Sequence, residues 1–315
     1  MLANRRDLLG GLVTIGASIA GGAVAGQAAD VSFLVVGDWG RDGASHQRDV
    51  AGQMELAARE FDCACVVSVG DNFYEDGVHS VNDDKWRSSF EDVYSGPRLA
   101  RTPWFVALGN HDYGGVPQAQ VDYTALSARW RMPARYFKVP GAVLGSSTVD
   151  FFIIDTSPMI AENASGTNAM AVNVKTQDAG AQLAWLDREL AASHARFKFV
   201  FGHHTLFSGG STHGDTPDLI ARLLPVLTAH RVTAYVNGHD HDLQHIVRDR
   251  LDCICTGAGS EVRPVSAIAG TKFCAARSGF SIISVRGGQV HLEFRDYTGA
   301  GLYRTSLYRT EPATA

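Results

Sequence analysis

Clusters of metal-binding residue types follow five apolar runs of the chain, and each cluster begins with a glycine. The runs are short, rich in Val and Phe, and ended by that glycine, which is typical of buried β-strands. Because open α/β sheets bind ligands at the carboxyl ends of their strands, we expect five strands to present these side chains at one edge. The clusters are Gly37-Asp38, Gly70-Asp71-Asn72-Phe73-Tyr74, Gly109-Asn110-His111-Asp112, Gly202-His203-His204 and Gly238-His239-Asp240-His241.

The side chains in these clusters offer carboxylate, amide-oxygen and imidazole donors, a mixture that suits Fe, Zn or Mn rather than Cu(I) or Ca. Six such ligands are more than one tetrahedral ion needs. Two ions that share a bridging carboxylate would use all of them, with the ions about 3.5–4 Å apart as in two-metal hydrolases. The six candidate ligands are Asp38, Asp71, Asn110, His203, His239 and His241.

Strand and helix signals alternate along the chain, and the pattern becomes strand-like after Asp252. Three leucines lie on one face of the predicted helix Gln177–Ser193, and Thr216-Pro217-Asp218 has the pattern of a helix N-terminus. We expect helices at Gln47–Arg59, Gln177–Ser193 and 217–230, and further strands at Phe151–Ile154, Ile254–Thr256, Phe280–Val285, Val290–Phe294 and Leu302–Tyr308.

In this order, the five clusters resemble the motifs of the calcineurin-like metallophosphoesterases. Tyr74, three residues after Asp71, makes the chain similar to the purple acid phosphatases, specifically the small tartrate-resistant type. The similarity extends from Phe33 to about His245. It implies an α/β fold in which two mixed sheets and flanking helices form a four-layer α/β/β/α sandwich, built by a single domain of residues 29–315.

The resemblance implies two metal sites joined by a carboxylate bridge, with Fe(III) in the first and a divalent Fe, Zn or Mn ion in the second. The residue types agree, because the phenolate of Tyr74 is a hard anionic donor, whereas neutral amide and imidazole groups suit a softer divalent ion. Outside this motif, Tyr74 would be equally well explained as a core or turn aromatic residue. By motif, the first site takes Asp38, Tyr74 and His241, the second takes Asn110, His203 and His239, and Asp71 is the bridge.

The resemblance implies that two further histidines act on the substrate rather than on a metal. His111 would stabilise the oxyanion or protonate the leaving group, and Asp112 beside it could orient the ring. His213 lies in a glycine-rich loop and matches a second active-site histidine, whereas His204 replaces an aromatic residue that the family usually carries. The other histidines are expected to be packing or surface residues, with His245 also able to support a ligand: His46, His79, His194, His230, His245 and His291.

The implied function is phosphate monoester hydrolysis, in which a metal-bound hydroxide attacks phosphorus and His111 assists the leaving group. Because Fe(III) lowers the pKa of bound water strongly, an acidic working range is expected. A phosphodiesterase or a nucleotide or polyphosphate hydrolase would use the same centre, and a redox-active di-iron protein is a further alternative. Substrate preference would be determined by loops in which the sequence shows no motif for a substrate class: 76–101, 113–135, 157–176 and 206–216.

Composition and net charge limit the classes of partner that the chain can bind. It has 315 residues, of which 45% are hydrophobic and 19% charged, as in an ordinary globular protein. The net charge is −5 and the Lys and Arg residues are scattered, so the basic patch that a nucleic-acid partner requires is missing from the sequence. The expected partner is a small phosphoester, and the chain is expected to be a monomer.

Two features of the sequence leave alternatives open. Residues 157–176 lack a helical or strand period and are expected to form a long loop, which is either a lid over the site or a surface insertion. The five cysteines are an odd number, so at least one is unpaired within the chain. Cys63 and Cys65, like Cys253 and Cys255, would share a strand face, and we expect buried structural thiols rather than a cysteine metal site.

The N-terminal segment has the pattern of an export signal. Arg5 and Arg6 precede a Gly- and Ala-rich apolar stretch from Leu8 to Ala25, and small residues follow near a plausible cleavage point. The adjacent arginines resemble the twin-arginine type, which predicts removal of residues 1–28 and a periplasmic or secreted product. A retained membrane anchor is the alternative, although the glycines of the stretch disfavour a permanent span.

Replacing Arg5 and Arg6 together by lysine should retain the precursor inside the cell, because twin-arginine export depends on the arginine pair. Cell fractionation with immunoblotting measures the distribution, and Asp7→Glu is the matched control, which should leave the exported yield unchanged. An undiminished exported yield of the double variant would indicate the general secretory route instead.

Overall fold

The computed structural model describes residues 30–307, so the predicted export signal 1–28 and Tyr308 lie outside the described residues. Fourteen strands form the centre of the described fold. They are β1 (Val31–Val36), β2 (Cys65–Val69), β3 (Trp104–Ala107), β4 (Trp130–Arg131), β5 (Phe137–Pro140), β6 (Val149–Ile153), β7 (Phe197–Phe201), β8 (Ala234–Asn237), β9 (Leu243–Arg248), β10 (Leu251–Thr256), β11 (Thr271–Ala275), β12 (Gly279–Arg286), β13 (Gln289–Asp296) and β14 (Gly301–Ser306). The α-helices are α1 (Gln47–Glu60), α2 (Pro117–Asp122), α3 (Ala169–Val174), α4 (Ala179–Ala192), α5 (Pro217–Arg222) and α6 (Leu224–Ala229).

The strands form two seven-stranded sheets. Sheet A has the order β14-β13-β12-β1-β2-β3-β4, and sheet B has the order β11-β9-β10-β8-β7-β6-β5. In sheet A, β1 to β4 are parallel neighbours and β12 joins β1 antiparallel. In sheet B, β6, β7, β8 and β10 are parallel, with β5 and β9 antiparallel at either side. Both sheets are therefore mixed, as the resemblance implied.

A group of phenylalanines packs the two sheets together. Phe33 on β1 faces Phe151 on β6 with ring centroids 4.6 Å apart, and it faces Phe199 and Phe201 on β7 at 5.5 and 6.1 Å. All four rings are fully buried. Edge-to-face aromatic pairs contribute more to stability than the burial of their apolar surface alone. This contact therefore fixes the position of one sheet relative to the other.

Helices cover the outer face of each sheet. Helix α1 lies on sheet A and buries Val50 and Met54, whereas α4, α5 and α6 lie on sheet B, where Leu186, Leu219 and Leu227 form a second apolar cluster with the sheet. The layers are thus helix, sheet, sheet and helix, and the predicted fold class is confirmed. Within residues 30–307, no helix combines the length and the apolar character needed to cross a bilayer.

Two predicted helices have different limits in the structure. The helix predicted over 217–230 is divided into α5 and α6 at Leu223, because Pro225 has no N–H to continue the ladder. The helix predicted from Gln177 begins at Ala179 instead, where the side chain of Asp178 accepts a hydrogen bond from the N–H of Ala181 at 2.9 Å. A capping carboxylate thus sets the start of α4.

The segment 157–176 is not the structureless loop that its composition suggests. It contains α3 and two short 3₁₀ turns, and Asn168 caps α3 by accepting the N–H of Ala171 at 2.8 Å. The Asn173 side chain donates to the carbonyl oxygens of Tyr113 and Gly115 at 2.9 Å each. The segment therefore has regular structure and is hydrogen-bonded to the turn at Tyr113 and Gly115.

Four strands, β4, β5, β9 and β11, are absent from the sequence prediction. β9 mixes apolar and polar residues, and β11 is only partly buried. All five cysteines are unpaired thiols, four of them buried, in agreement with the structural interpretation. Among the described residues, none of the clusters that could hold a metal includes a cysteine.

Replacing Phe151 by alanine should lower the free energy of unfolding by about 3–5 kcal/mol, because it leaves a cavity between the two sheets. Urea denaturation followed by circular dichroism measures this loss. Leu126→Ala is the matched control, since Leu126 is 63% exposed and the change should stay within about 0.5 kcal/mol. Equal losses in the two variants would show that the aromatic contact does not hold the sheets.

Candidate metal centre

The five ligand clusters lie at the carboxyl ends of five strands, three in sheet A and two in sheet B. Asp38 follows β1, Asp71 follows β2 and Asn110 follows β3, and these three strands are neighbours in sheet A. His203 follows β7 and His239 follows β8, which are neighbours in sheet B. The side chains meet because both sheets end at the same side of the molecule, as the sequence predicted.

A first group of side chains surrounds the Tyr74 hydroxyl. This oxygen lies 3.2 Å from Oδ1 of Asp38, 3.1 Å from Oδ2 of Asp71 and 3.0 Å from Nε2 of His241. Nε2 of His241 is also 3.4 Å from Oδ1 of Asp38. The structure thus brings together the four residues assigned by motif to the first site and the bridge.

A second group surrounds Nε2 of His203. This nitrogen lies 3.0 Å from Oδ1 of Asn110, 3.2 Å from Nδ1 of His239 and 3.4 Å from Oδ1 of Asp71. Nδ1 of His203 donates to the carbonyl oxygen of Val69 at 2.9 Å, so the ring is oriented with Nε2 towards the group. These are the residues assigned by motif to the second site.

Asp71 belongs to both groups through different oxygens. Oδ2 accepts from the Tyr74 hydroxyl, whereas Oδ1 faces His203 and accepts the backbone N–H of His111 at 2.9 Å. The carboxylate is buried, with 2% of the residue exposed. Its two oxygens therefore lie where a carboxylate that bridges two cations would place them.

The backbone of the site is tight and partly strained. Asp38, Asp71 and His239 have positive φ angles of 58°, 50° and 74°, a left-handed conformation that few residues other than glycine adopt. Each such residue costs about 1–3 kcal/mol, which the surrounding fold must offset. Gly70 has a φ of 93°, and a Cβ there would lie 2.7 Å from Nδ1 of His203. A side chain at this glycine would therefore displace a candidate ligand.

The donor set fits a pair of cations. The Tyr74 hydroxyl has one hydrogen but lies near carboxylate oxygens of both Asp38 and Asp71, so lone pairs of the two carboxylates converge there without enough hydrogens between them. Hard oxygen donors dominate this group, and an amide oxygen and imidazoles form the second group. Together these donors suit Fe, Zn or Mn rather than Cu(I) or Ca.

Burial and mutual charge shift the pKa values of these groups. Burial raises the pKa of Asp38 well above its usual value, and repulsion from Asp71 adds to the effect. Burial also opposes ionisation of Asp71, but attraction and hydrogen bonds from His203 and His111 together outweigh it and lower the pKa of Asp71. Burial lowers the pKa of His203, whereas Asp71 and Asp38 raise it, to about 9. Cations at this position would replace such protons, since metal ligands bind in their deprotonated forms.

His111 lies beside the first group. Its Nδ1 donates to the carbonyl oxygen of Glu75 at 2.5 Å, and its ring centroid lies 4.6 Å from that of Tyr74. Asp112 does not orient this ring, contrary to one expectation. The Asp112 carboxylate accepts hydrogen bonds from the N–H groups of Asn72 and Gly109 instead, which fixes the turn itself.

His213 lies beside the second group. Its ring centroid is 3.9 Å from that of His239, and its Nε2 accepts a hydrogen bond from Arg263 at 3.2 Å. Burial lowers the pKa of His213, and the charge of Arg263 adds to this despite the opposing charge of Asp240. The two histidines that sequence reasoning set beside the metals therefore lie on either side of the ligand groups.

Sequence reasoning did not identify the partner of His204. The Thr156 hydroxyl accepts the backbone N–H groups of His203 and His204 at 3.3 and 3.1 Å, so its own hydrogen is left for Nδ1 of His204, 2.8 Å away. His204 forms a cluster with His203 and His239 that is close enough to hold a metal, but with its proton on Nε2 the neutral His204 ring has no free lone pair for one. His245 lies elsewhere, between Asp252 at 2.8 Å and Tyr303 at 3.1 Å.

Comparisons with known proteins agree with this geometry. The model of the calcineurin-like phosphoesterase family matches residues 31–243. Purple acid phosphatase 7 of Arabidopsis thaliana is 36% identical over 291 residues, covering 88% of this chain and 86% of that protein. Tartrate-resistant acid phosphatase type 5 of Sus scrofa is 32% identical over 295 residues, again covering 88% and 86%. The chain therefore belongs to the calcineurin-like phosphoesterases and, within them, to the purple acid phosphatases, a family that implies a binuclear metal centre.

Solved structures show the same fold. A structure described as GAP50, the anchor in the inner membrane complex of Plasmodium, has a TM-score of 0.76 and 24% identity and covers 90% of each chain. The purple acid phosphatase PPD1 of yellow lupin has a TM-score of 0.67 and 14% identity and covers 89% of this chain and 54% of that one. Since one of these is described as an anchor, the activity has to be argued from the site rather than from the fold.

Asp71→Asn should remove both metals, because the amide cannot supply a charged oxygen to each group. Elemental analysis of the purified protein measures the metal content, which should fall from about two equivalents to a small fraction. Asp49→Asn is the matched control, since Asp49 is an exposed residue of α1, and this variant should keep both metals. Two equivalents of metal in Asp71→Asn would contradict the bridging assignment.

Proposed function

We propose that this chain is a binuclear metal-dependent phosphoric monoester hydrolase, an acid phosphatase with Fe(III) and a divalent Fe, Zn or Mn ion. The observation that carries the proposal is the position of Asp71, whose two oxygens face two separate groups of ligands. When bound, the ions would lower the pKa of a coordinated water and neutralise charge on the phosphoryl oxygens. The relatives that carry the name acid phosphatase support the choice of reaction.

The proposed role of His111 is to protonate the leaving alkoxide. Because Nδ1 donates to the Glu75 carbonyl, the opposite nitrogen, Nε2, is the one available for a proton that moves to the substrate. The side chain is 31% exposed, so a substrate can reach it. The backbone N–H of His111 also holds Asp71, which keeps the proton donor and the proposed bridge in one rigid turn.

The proposed role of His213 is to bind the phosphoryl group. Nε2 accepts from Arg263, so the neutral ring carries its proton on Nδ1, a donor suited to a phosphoryl oxygen. The His213 ring packs against the His239 ring, and this contact fixes the plane of the His213 ring. His213 would thus orient the substrate on the side opposite to His111.

The wider setting of the reaction is also a proposal. We infer a single domain of residues 29–315 that acts as a monomer on small phosphoesters without a nucleic-acid partner or a stable membrane anchor. The pattern of residues 1–28 supports export by the twin-arginine route to the periplasm or the medium.

His111→Gln should lower kcat for an alkyl phosphate about 10²- to 10³-fold, because the alkoxide then leaves without a proton donor. The loss should be much smaller for p-nitrophenyl phosphate, whose leaving group needs little protonation. Steady-state kinetics on both esters, and on bis-p-nitrophenyl phosphate as a diester, provide the measurement.

His194→Gln is the control for this experiment, since His194 is exposed and precedes the amino end of β7, whereas the ligand His203 follows the carboxyl end. Equal losses on the two monoesters would remove the proton-donor role of His111. A wild type that hydrolyses the diester faster than both monoesters would overturn the monoesterase proposal and favour the phosphodiesterase alternative.

A further inference from the structure

Arg263 lies beside the candidate metal centre, on the segment that follows β10. Its backbone N–H donates to the carbonyl oxygen of His241 at 2.8 Å, so its position is tied to a candidate ligand. Its guanidinium lies 3.2 Å from Nε2 of His213, whose ring rests on His239. The side chain is partly exposed, so a ligand bound beside His213 can reach it.

In the described part of the chain, the charge of Arg263 is not neutralised by a carboxylate. Arg41, the other arginine at this site, stacks over the Tyr74 ring at 3.9 Å and forms ion pairs with Glu75 at 3.0 Å and Glu261 at 3.2 Å. Arg263, by contrast, has no carboxylate within ion-pair distance among residues 30–307. Its guanidinium donates a hydrogen bond to the neutral ring of His213 instead.

Charge balance indicates what this extra cation is for. Fe(III) and a divalent ion together carry five positive charges, and ionised Asp38, Asp71 and Tyr74 remove three of them. A metal-bound hydroxide would remove one more, so the charge that remains is smaller than that of a single phosphoryl dianion. A substrate with a second phosphate brings more negative charge than the ions and their ligands neutralise, and a guanidinium matches a phosphate with two parallel hydrogen bonds.

We propose that Arg263 binds a second phosphate group of the substrate, which makes it a specificity-determining residue for phosphoesters and phosphoanhydrides that carry another phosphate next to the reacting one. This inference rests on the proposed function, because it assumes that the first phosphoryl group lies at the metal centre. Arg263 takes no part in the bond cleavage itself.

Binding of two phosphonates to the metal-loaded full chain tests the proposal. Methylenediphosphonate carries two anionic groups joined by a P–C–P link that is not hydrolysed, and methylphosphonate carries one. Arg263→Gln should weaken methylenediphosphonate about tenfold or more, as expected for loss of a charged hydrogen bond, and methylphosphonate less than threefold. Isothermal titration calorimetry measures both affinities.

Two further variants sharpen the comparison. Arg263→Lys keeps the charge but loses the planar fork, and it should bind methylenediphosphonate with an affinity between those of the wild type and Arg263→Gln. Arg188→Gln, on the exposed face of α4, is the matched control and should bind both phosphonates like the wild type. In the wild type, added salt should weaken methylenediphosphonate more than methylphosphonate, a measurement that needs no variant.

Several outcomes overturn the inference. Equal weakening of both phosphonates in Arg263→Gln would mean that Arg263 only supports His213, and unchanged affinities would mean that it does not meet the ligand. Equal salt dependence of the two phosphonates would contradict it as well. If the wild type hydrolyses no monoester while Arg263→Gln still loses methylenediphosphonate selectively, the proposed function is wrong and the anion site stands.

Discussion

The contact of Asp71 with both ligand groups is the constraint on which the site depends. One oxygen belongs to the group around Tyr74 and the other faces His203, which follows a strand of the opposite sheet. The two sheets must therefore be held within a few tenths of an ångström of one another. The phenylalanines between β1, β6 and β7 provide that support, so the apolar core between the sheets acts directly on the geometry of the centre.

Much of this architecture was predictable from the sequence, for a physical reason. Strands buried on both faces appear as continuous apolar runs, and the Gly-Asp and Gly-His clusters mark their ends. The elements that were missed lack such a signal. β9 alternates irregularly between polar and apolar residues, and the break at Leu223 results from Pro225, which lies inside an otherwise helical pattern. The order of residues 157–176 comes from Asn173 and its contacts with a distant turn.

The ligand set was also predictable, whereas the residues around it were not. Motif spacing placed the candidate ligands together because adjacent parallel strands end at one edge. Thr156 and Arg263 reach the site from segments without a motif, and their contacts depend on side-chain directions that spacing does not encode. The left-handed backbone at Asp38, Asp71 and His239 was not predictable either. This conformation is strained and persists only because the rest of the folded structure stabilises it.

The unpaired thiols have a consequence for where the chain can fold. Four of the five cysteines are buried, and Cys255 packs its sulfur against the carbonyl oxygens of Gly238 and Asp240 beneath the candidate ligands. No disulfide joins the two sheets within residues 30–307, so their association rests on apolar packing and on hydrogen bonds such as those from His203 to Val69 and from Ser281 to Thr256. Such a fold requires no oxidant for its completion. Folding of residues 30–307 therefore does not depend on the disulfide-forming machinery of an oxidising compartment.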